Sequence, residues 1–269
     1  MVKNREKASN TPKRKIVLFI VEGPSDREAL KPAISELYDR IDPEIDVVFA
    51  MIQYGEQRGG DITCLHYEDR VLKRTNSVVP EYIAKDIYEV IIKPLNEATP
   101  AIYPKYLSEI VHIVDLDGAY IPTEAIEENA ELGKPSYQPD KIICPSKENI
   151  INRNEQKTIN LDYLSSLEEI KIKTTTVPYR VYYFSSNLDH FLHYDANLDD
   201  NKKMSAARAF ADSKADVDSF VKYFSEDPAS AREMSYEESW QFIKKGTNSL
   251  ARRTNIDILL KKLHSSQIE

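Results

Sequence analysis

Two short apolar runs constrain this chain more than anything else in it. Ile16-Val17-Leu18-Phe19-Ile20-Val21 stops at Glu22-Gly23, and His112-Ile113-Val114 stops at Asp115-Leu116-Asp117-Gly118. Runs this short, rich in Val and Ile and cut off by glycine, read as parallel strands buried on both faces. Acids at the carboxyl ends of such strands gather at one edge of the sheet, where open α/β folds bind ligands. The expectation is that Glu22, Asp115 and Asp117 converge there around a divalent cation.

The surrounding pattern supports an α/β reading. After Gly23-Pro24, Ser25 and Glu28 have the spacing of a capping box, and Ala29, Leu30, Ala33, Ile34 and Leu37 recur at helical intervals, with Pro32 expected to kink or shorten the helix. The positive end of that helix would face the same edge as Glu22, which suits an anionic ligand. Residues 46–52 read as a second strand. Residues 54–61, with Gly55, Gly59 and Gly60, lack the Gly-Lys-Ser/Thr ending of a P-loop and read first as a plain connection, with a mobile loop over the site as the alternative. A helix is expected over 81–98, a polar excursion over 120–137, a short strand over 141–144, a polar loop over 149–158, a short helix over 161–167 and a strand over 180–184. From Asn187 onward the pattern is helical. The expected organisation is a basic disordered tail (1–14), a mostly parallel, helix-flanked α/β domain (15–187) and a C-terminal helical region packed on it (188–269).

Composition narrows the function. A formal charge of −8 argues against binding nucleic acid by bulk attraction, so such a substrate would need a local basic patch or a bound metal. No stretch approaches the roughly 20 apolar residues of a membrane span, and the polar start lacks the apolar segment of a signal peptide. Cys64 and Cys144 supply neither a disulfide framework nor a C-x-x-C pair, so a reducing cytoplasm is expected.

Asp115 and Asp117, two apart on a strand, would point the same way and repel unless a cation compensates. A third acid on a neighbouring strand makes a hard oxygen site suited to one or two Mg²⁺ or Mn²⁺ ions. Asp26, four residues after Glu22, would support a second ion. Such ions take further ligands from substrate phosphates, which is the arrangement for phosphodiester cleavage. Arg27, Asp189, Arg252 and Arg253 are the candidates for substrate contact. Lys244, Lys245, Lys261 and Lys262 add a basic bias near the end of the chain, read mainly as a solvated face and otherwise as a rail for nucleic acid. His190 and His193, three apart, read as core or surface residues.

Val21-Glu22-Gly23 followed by Val114-Asp115-Leu116-Asp117-Gly118 resembles the TOPRIM domain of topoisomerases, primases and small nucleases. The stretch from Val21 to Leu30 is most similar to OLD-family nucleases and related abortive-infection proteins, and 183–192 looks loosely like a segment of RloB-like defence proteins. The resemblance implies a TOPRIM (Rossmann-like) fold and a Mg²⁺- or Mn²⁺-dependent nuclease of an anti-phage system, acting on DNA or RNA. It implies Glu22 as metal ligand or general base, Asp26, Asp115 and Asp117 as metal ligands, and a further acid for which Glu124 is the nearest candidate. It also implies a downstream lysine that the sequence does not assign. With no Gly-Lys-Ser/Thr loop, the chain would act alone, as a homo-oligomer, or beside a separate ATPase protein. Two alternatives stand. One is a non-catalytic TOPRIM-like partner-binding subunit. The other is a haloacid-dehalogenase-like phosphatase with Asp115 as nucleophile and Asp117 as acid/base; that motif expects Thr or Val where Ala119 stands, and leaves Glu22 without a role.

Overall fold

The computed structural model describes residues 14–68, 71–74 and 82–266. Residues 1–13 of the tail expected over 1–14, and the first residue of the helix expected over 81–98, lie outside them. The centre is a five-stranded sheet built from β1 (Lys15–Ile20), β2 (Ile45–Ala50), β3 (Leu107–Asp115), β4 (Glu169–Ile172) and β5 (Thr175–Phe184), in the order β4-β5-β3-β1-β2. β1, β2, β3 and β5 are parallel, and β4 is antiparallel to β5. The fold is therefore α/β with a mostly parallel sheet flanked by helices.

β1 is buried on both faces, as its unbroken apolar run requires. Val17, Phe19 and Val21 join one core with α1 (Pro24–Ile41), while Ile16, Leu18 and Ile20 join another with the helical segment 83–97 and α2 (Lys147–Ser166). The helices α3 (Leu188–His193), α4 (Asp200–Ser213), α5 (Val217–Glu226) and α7 (Ile256–Ser265) pack with α1 on the first face, and Trp240 of α6 (Tyr236–Ile243) belongs to the second. Among the described residues no helix is long and apolar enough to cross a membrane.

The topology places a crevice beside the acids. From β1 the chain moves outward to β2, whereas from β3 it moves the opposite way to β5. β1 and β3 are neighbours, so their carboxyl ends flank the point where the winding reverses, the usual ligand crevice of such sheets. Glu22 follows β1 and Asp115 ends β3.

Several expectations are corrected. Helix α1 starts at Pro24 with Gly23 as its cap; Asp26, rather than a Ser25–Glu28 box, closes the turn by accepting the Gly23 N–H at 2.8 Å. The helix runs on through Pro32, which is exposed, so the carbonyl it leaves unbonded can meet water. Residues 149–158 are not a loop: α2 is one helix of 20 residues capped by Ser146. Its buried stripe, Ile150, Asn154, Lys157, Leu161 and Leu164, has helical spacing but polar members, which hid it from an apolar count. β4 went unrecognised. The helix expected near 248 starts only at Ile256, because Thr254 instead bridges to Phe184 at the end of β5.

Candidate active site

The carboxyl group of Glu22 reaches the end of the neighbouring strand, where its Oε1 accepts the Asp115 N–H at 2.9 Å. Asp115 Oδ1 in turn accepts the N–H of Leu188 at 3.0 Å, at the first residue of α3. Asn187 caps that helix by accepting the His190 N–H at 2.8 Å.

Asp117 behaves otherwise than expected. The strand ends at Asp115, and Asp117 takes a left-handed conformation (φ 50°), followed by Gly118 at φ 66°. Asp tolerates this region better than most residues. The turn is held by the Asp117 N–H donating to the Ser186 carbonyl at 2.9 Å. The Asp-x-Asp pair therefore diverges. Asp115 meets the start of α3, whereas Asp117 Oδ2 lies 2.7 Å from the ammonium of Lys157 and its Oδ1 accepts from the Tyr137 hydroxyl at 3.3 Å.

Lys157 is the centre of the second half of the site. It is fully buried, and its Nζ lies 2.7 Å from Asp61 and 4.0 Å from Glu22 Oε1. Asp61 arrives on the glycine loop. The Gly60 N–H donates to the Glu22 carbonyl at 2.7 Å, and a Cβ on Gly59 would stand 2.6 Å from that same oxygen. Only a residue without a side chain lets the loop lie this close. Asp61 also accepts from the Thr63 N–H at 2.7 Å and the Cys64 thiol at 3.0 Å. Asn160 of α2 ties the same turn down through the Thr63 carbonyl at 2.8 Å. Arg153, one turn before Lys157, donates to the Asp117 carbonyl at 2.8 Å and the Tyr137 hydroxyl at 2.9 Å.

The electrostatics divide along the same line. Burial pushes the Glu22 carboxyl well above the usual range, and the charge of Asp61 adds to the push while Lys157 opposes it. Burial and the nearby charge of Glu22 do the same to Asp115. Burial raises Asp26 to about 6, against the Gly23 N–H that favours its charged form. Against burial, Lys157 draws Asp61 down to about 2. Burial would also lower Lys157, but Asp117, Asp61 and Glu22 together hold its ammonium protonated well above the ordinary range. Lys157 thus pairs closely with Asp61 and Asp117, whereas Glu22, Asp115 and Asp26 are crowded together with only weaker help from Lys157 and Lys203, and burial favours their protonated forms.

The second oxygens of two of these groups, Glu22 Oε2 and Asp115 Oδ2, have no hydrogen-bond partner among the described residues. These are hard donors of the kind Mg²⁺ and Mn²⁺ prefer. Among the described residues, however, no three His, Cys, Asp or Glu side chains form a ready-made metal cage. Beside Asp61 and Asp117 lies a cavity of about 510 Å³, walled by Tyr137, Asn149, Ile150 and Arg153.

The remaining candidates fall elsewhere. Glu124 is exposed on the short turn Thr123–Ala125 and makes no ion pair with the cluster. Arg27 is exposed on the first turn of α1. Asp189 pairs with Lys203 at 3.4 Å, and its charge adds to the upward push on Asp26. Arg252 is spoken for: it grips Asp227 through two bonds of 2.8 and 2.6 Å, donates to the Phe191 carbonyl at 2.9 Å and lies over the Phe191 and Tyr194 rings. Its guanidinium is therefore a packing element. Arg253 donates to the Pro228 carbonyl at 2.8 Å and faces another cavity. His190 bonds to Ser186 at 3.1 Å and His193 turns to the Phe210 ring. Asp61 and Lys157 are the functional residues that sequence reasoning missed. The stripe through Ile150, Asn154, Lys157, Leu161 and Leu164 was the signal for the lysine; Asp61 offered only its place after Gly59-Gly60.

Compared with protein-family models, with curated proteins and with solved structures, the chain finds no significant match in any of the three.

Proposed function

We propose that this chain is a metal-dependent phosphodiesterase of TOPRIM type, a nuclease acting on DNA or RNA in the cytoplasm as an anti-phage effector. One observation carries the reading: Glu22 and Asp115, from two strands that flank the reversal of the sheet, meet with Asp26 as an over-acidic crevice, and the buried Lys157 sits closest to the adjoining Asp61 and Asp117 and only 4.0 Å from Glu22. An acidic crevice of this kind repels a phosphodiester unless a divalent cation enters with it. Glu22, Asp115 and Asp26 would hold Mg²⁺ or Mn²⁺, with Asp117 at the rim. The lack of a ready-made cage accords with Mg²⁺, which binds through one or two carboxylates and takes the rest from water and substrate phosphate. Bound there, the ion would supply charge stabilisation at the scissile phosphate and activate the attacking oxygen.

The protein's own groups do the positioning. Glu22, held by the Asp115 N–H, is the candidate general base, because burial lifts its carboxyl well above the usual carboxylate range and makes it a stronger base. Lys157 fixes Asp61 and Asp117 and is the residue proposed for the unassigned family lysine. The cavity beside Asp117 is the proposed berth for the flanking nucleotide.

The test is incubation of the full chain with plasmid, single-stranded DNA and tRNA in Mg²⁺, Mn²⁺ or EDTA, alongside Glu22→Gln and Asp115→Asn. Cleavage that needs the metal and both carboxylates is expected. Cleavage that survives EDTA and both substitutions, or turnover of phosphomonoesters through a phosphorylated Asp115, would replace this reading.

A further inference from the structure

The basic residues near the end of the chain do not form a continuous rail. Lys244 pairs with Asp162 at 2.8 Å, Arg252 with Asp227 at 2.6 Å and Lys261 with Asp257 at 2.9 Å. Arg253 and Lys245 pair with no carboxylate among the described residues, and neither does Arg232. These three cations line one cavity of about 750 Å³. In a chain of net charge −8, three unpaired cations at one hollow call for an explanation.

Other features mark the hollow as built. Ser230 lines it and is 3% exposed, yet its hydroxyl has no hydrogen-bond partner, which a buried polar group seldom tolerates. The neighbouring wall is rigid. Asp257, wholly buried, accepts the N–H groups of Ala231 at 3.0 Å and Arg232 at 2.9 Å, and Arg232 is held at φ 55°. Arg253 lies 5.1 Å over the Phe242 ring, which holds its guanidinium against the wall. Two acids also face the cavity: Glu238 is occupied in capping α6 through the Ser235 N–H, and Glu233 is exposed at the rim.

We infer that this cavity is a second binding site, for a phosphate-bearing ligand, distinct from the acidic crevice and independent of the nuclease reading. Arg232, Lys245 and Arg253 would supply the charge-assisted bonds. A nucleotide and a nucleic-acid backbone present this same phosphate chemistry. The acidic crevice needs a metal to accept phosphate; this site has its own cations and needs none.

Calorimetric titration of the full chain with pyrophosphate, in EDTA, tests the inference. Binding is expected, weakening with salt. Lys245→Glu and Arg253→Gln should each raise Kd by roughly tenfold or more. Lys245 is exposed, so its charge reversal reads the site without a risk to folding, which a melting curve checks. Glu22→Gln should leave Kd unchanged. Displacement of pyrophosphate by ADP alone identifies a free nucleotide as the ligand; displacement by a single-stranded oligonucleotide identifies the backbone. No binding at millimolar pyrophosphate, binding undiminished in both cation variants, or binding lost in EDTA or in Glu22→Gln would each overturn the assignment. None of these readouts depends on cleavage, so a failed nuclease assay leaves the inference standing.

Discussion

Lys157 shows what a single residue does here. Its ammonium is fully buried between Asp61 and Asp117, and its removal leaves two carboxylates without their counter-charge. Breaking a buried pair in this way costs about 3–5 kcal/mol. Lys157→Met is therefore expected to lower the melting temperature strongly and to abolish any activity, whereas an exposed lysine such as Lys245 changed to Met should shift the melt little. Asp26 makes an opposite demand. Its carboxyl is raised to about 6, so the folded protein binds a proton there that the unfolded chain has released. Its contribution to stability is present at low pH and is lost as pH rises from the ordinary carboxylate range through about 6. Asp26→Asn should flatten that decline in chemical-denaturation curves. Saturating Mg²⁺ should flatten it too if the crevice binds the ion, since a cation replaces the proton. Asp115, Glu22 and Asp117 were legible in the sequence because apolar runs ending at acids locate strand ends. The direction of the Asp117 side chain was not, because it depends on a left-handed turn pinned by Ser186, far along the chain.

At the scale of elements, the glycine loop and α2 decide the site. The loop lies on the Glu22 carbonyl and brings in Asp61, and α2 brings in Lys157 and Arg153. Gly59 sits at φ 84° with no room for a Cβ. Gly59→Ala is expected to cost about 1–3 kcal/mol and to push the loop off β1. A melting curve reads the first effect; the second should appear as faster amide exchange at Gly60, whose N–H bonds to Glu22. The first half of helix α2 reads as a loop in the sequence because its buried face carries Asn154, Gln156, Lys157 and Asn160. A helix that serves an acidic crevice buries polar groups, and hydrophobic periodicity is blind to those.

The whole molecule is held together by shared cores rather than separate halves. α7 buries Ile256, Leu259, Leu260 and Leu263 in the same core as β1 and α1. Each such side chain is worth about 2–5 kcal/mol when deleted, and a domain of this kind has only about 5–15 kcal/mol in total. Truncation after Gly246 is thus expected to abolish cooperative unfolding in calorimetry. The same segment carries Thr254, which bridges to Phe184 at the end of β5, so removal of the C-terminal helices would also loosen the edge on which the acids sit.

The sequence alone located the ends of β1 and β3, since an unbroken apolar run stopped by an acid and a glycine is a local property. It thereby located Glu22, Asp115 and Asp117 at strand ends, and it excluded attraction of nucleic acid by net charge. Only the tertiary structure decided which charges meet. Coulomb interactions act across space, so pairing Asp61 and Asp117 with Lys157, crowding Glu22, Asp115 and Asp26 together, and gathering Arg232, Lys245 and Arg253 around a separate hollow all required distant segments to be folded against one another.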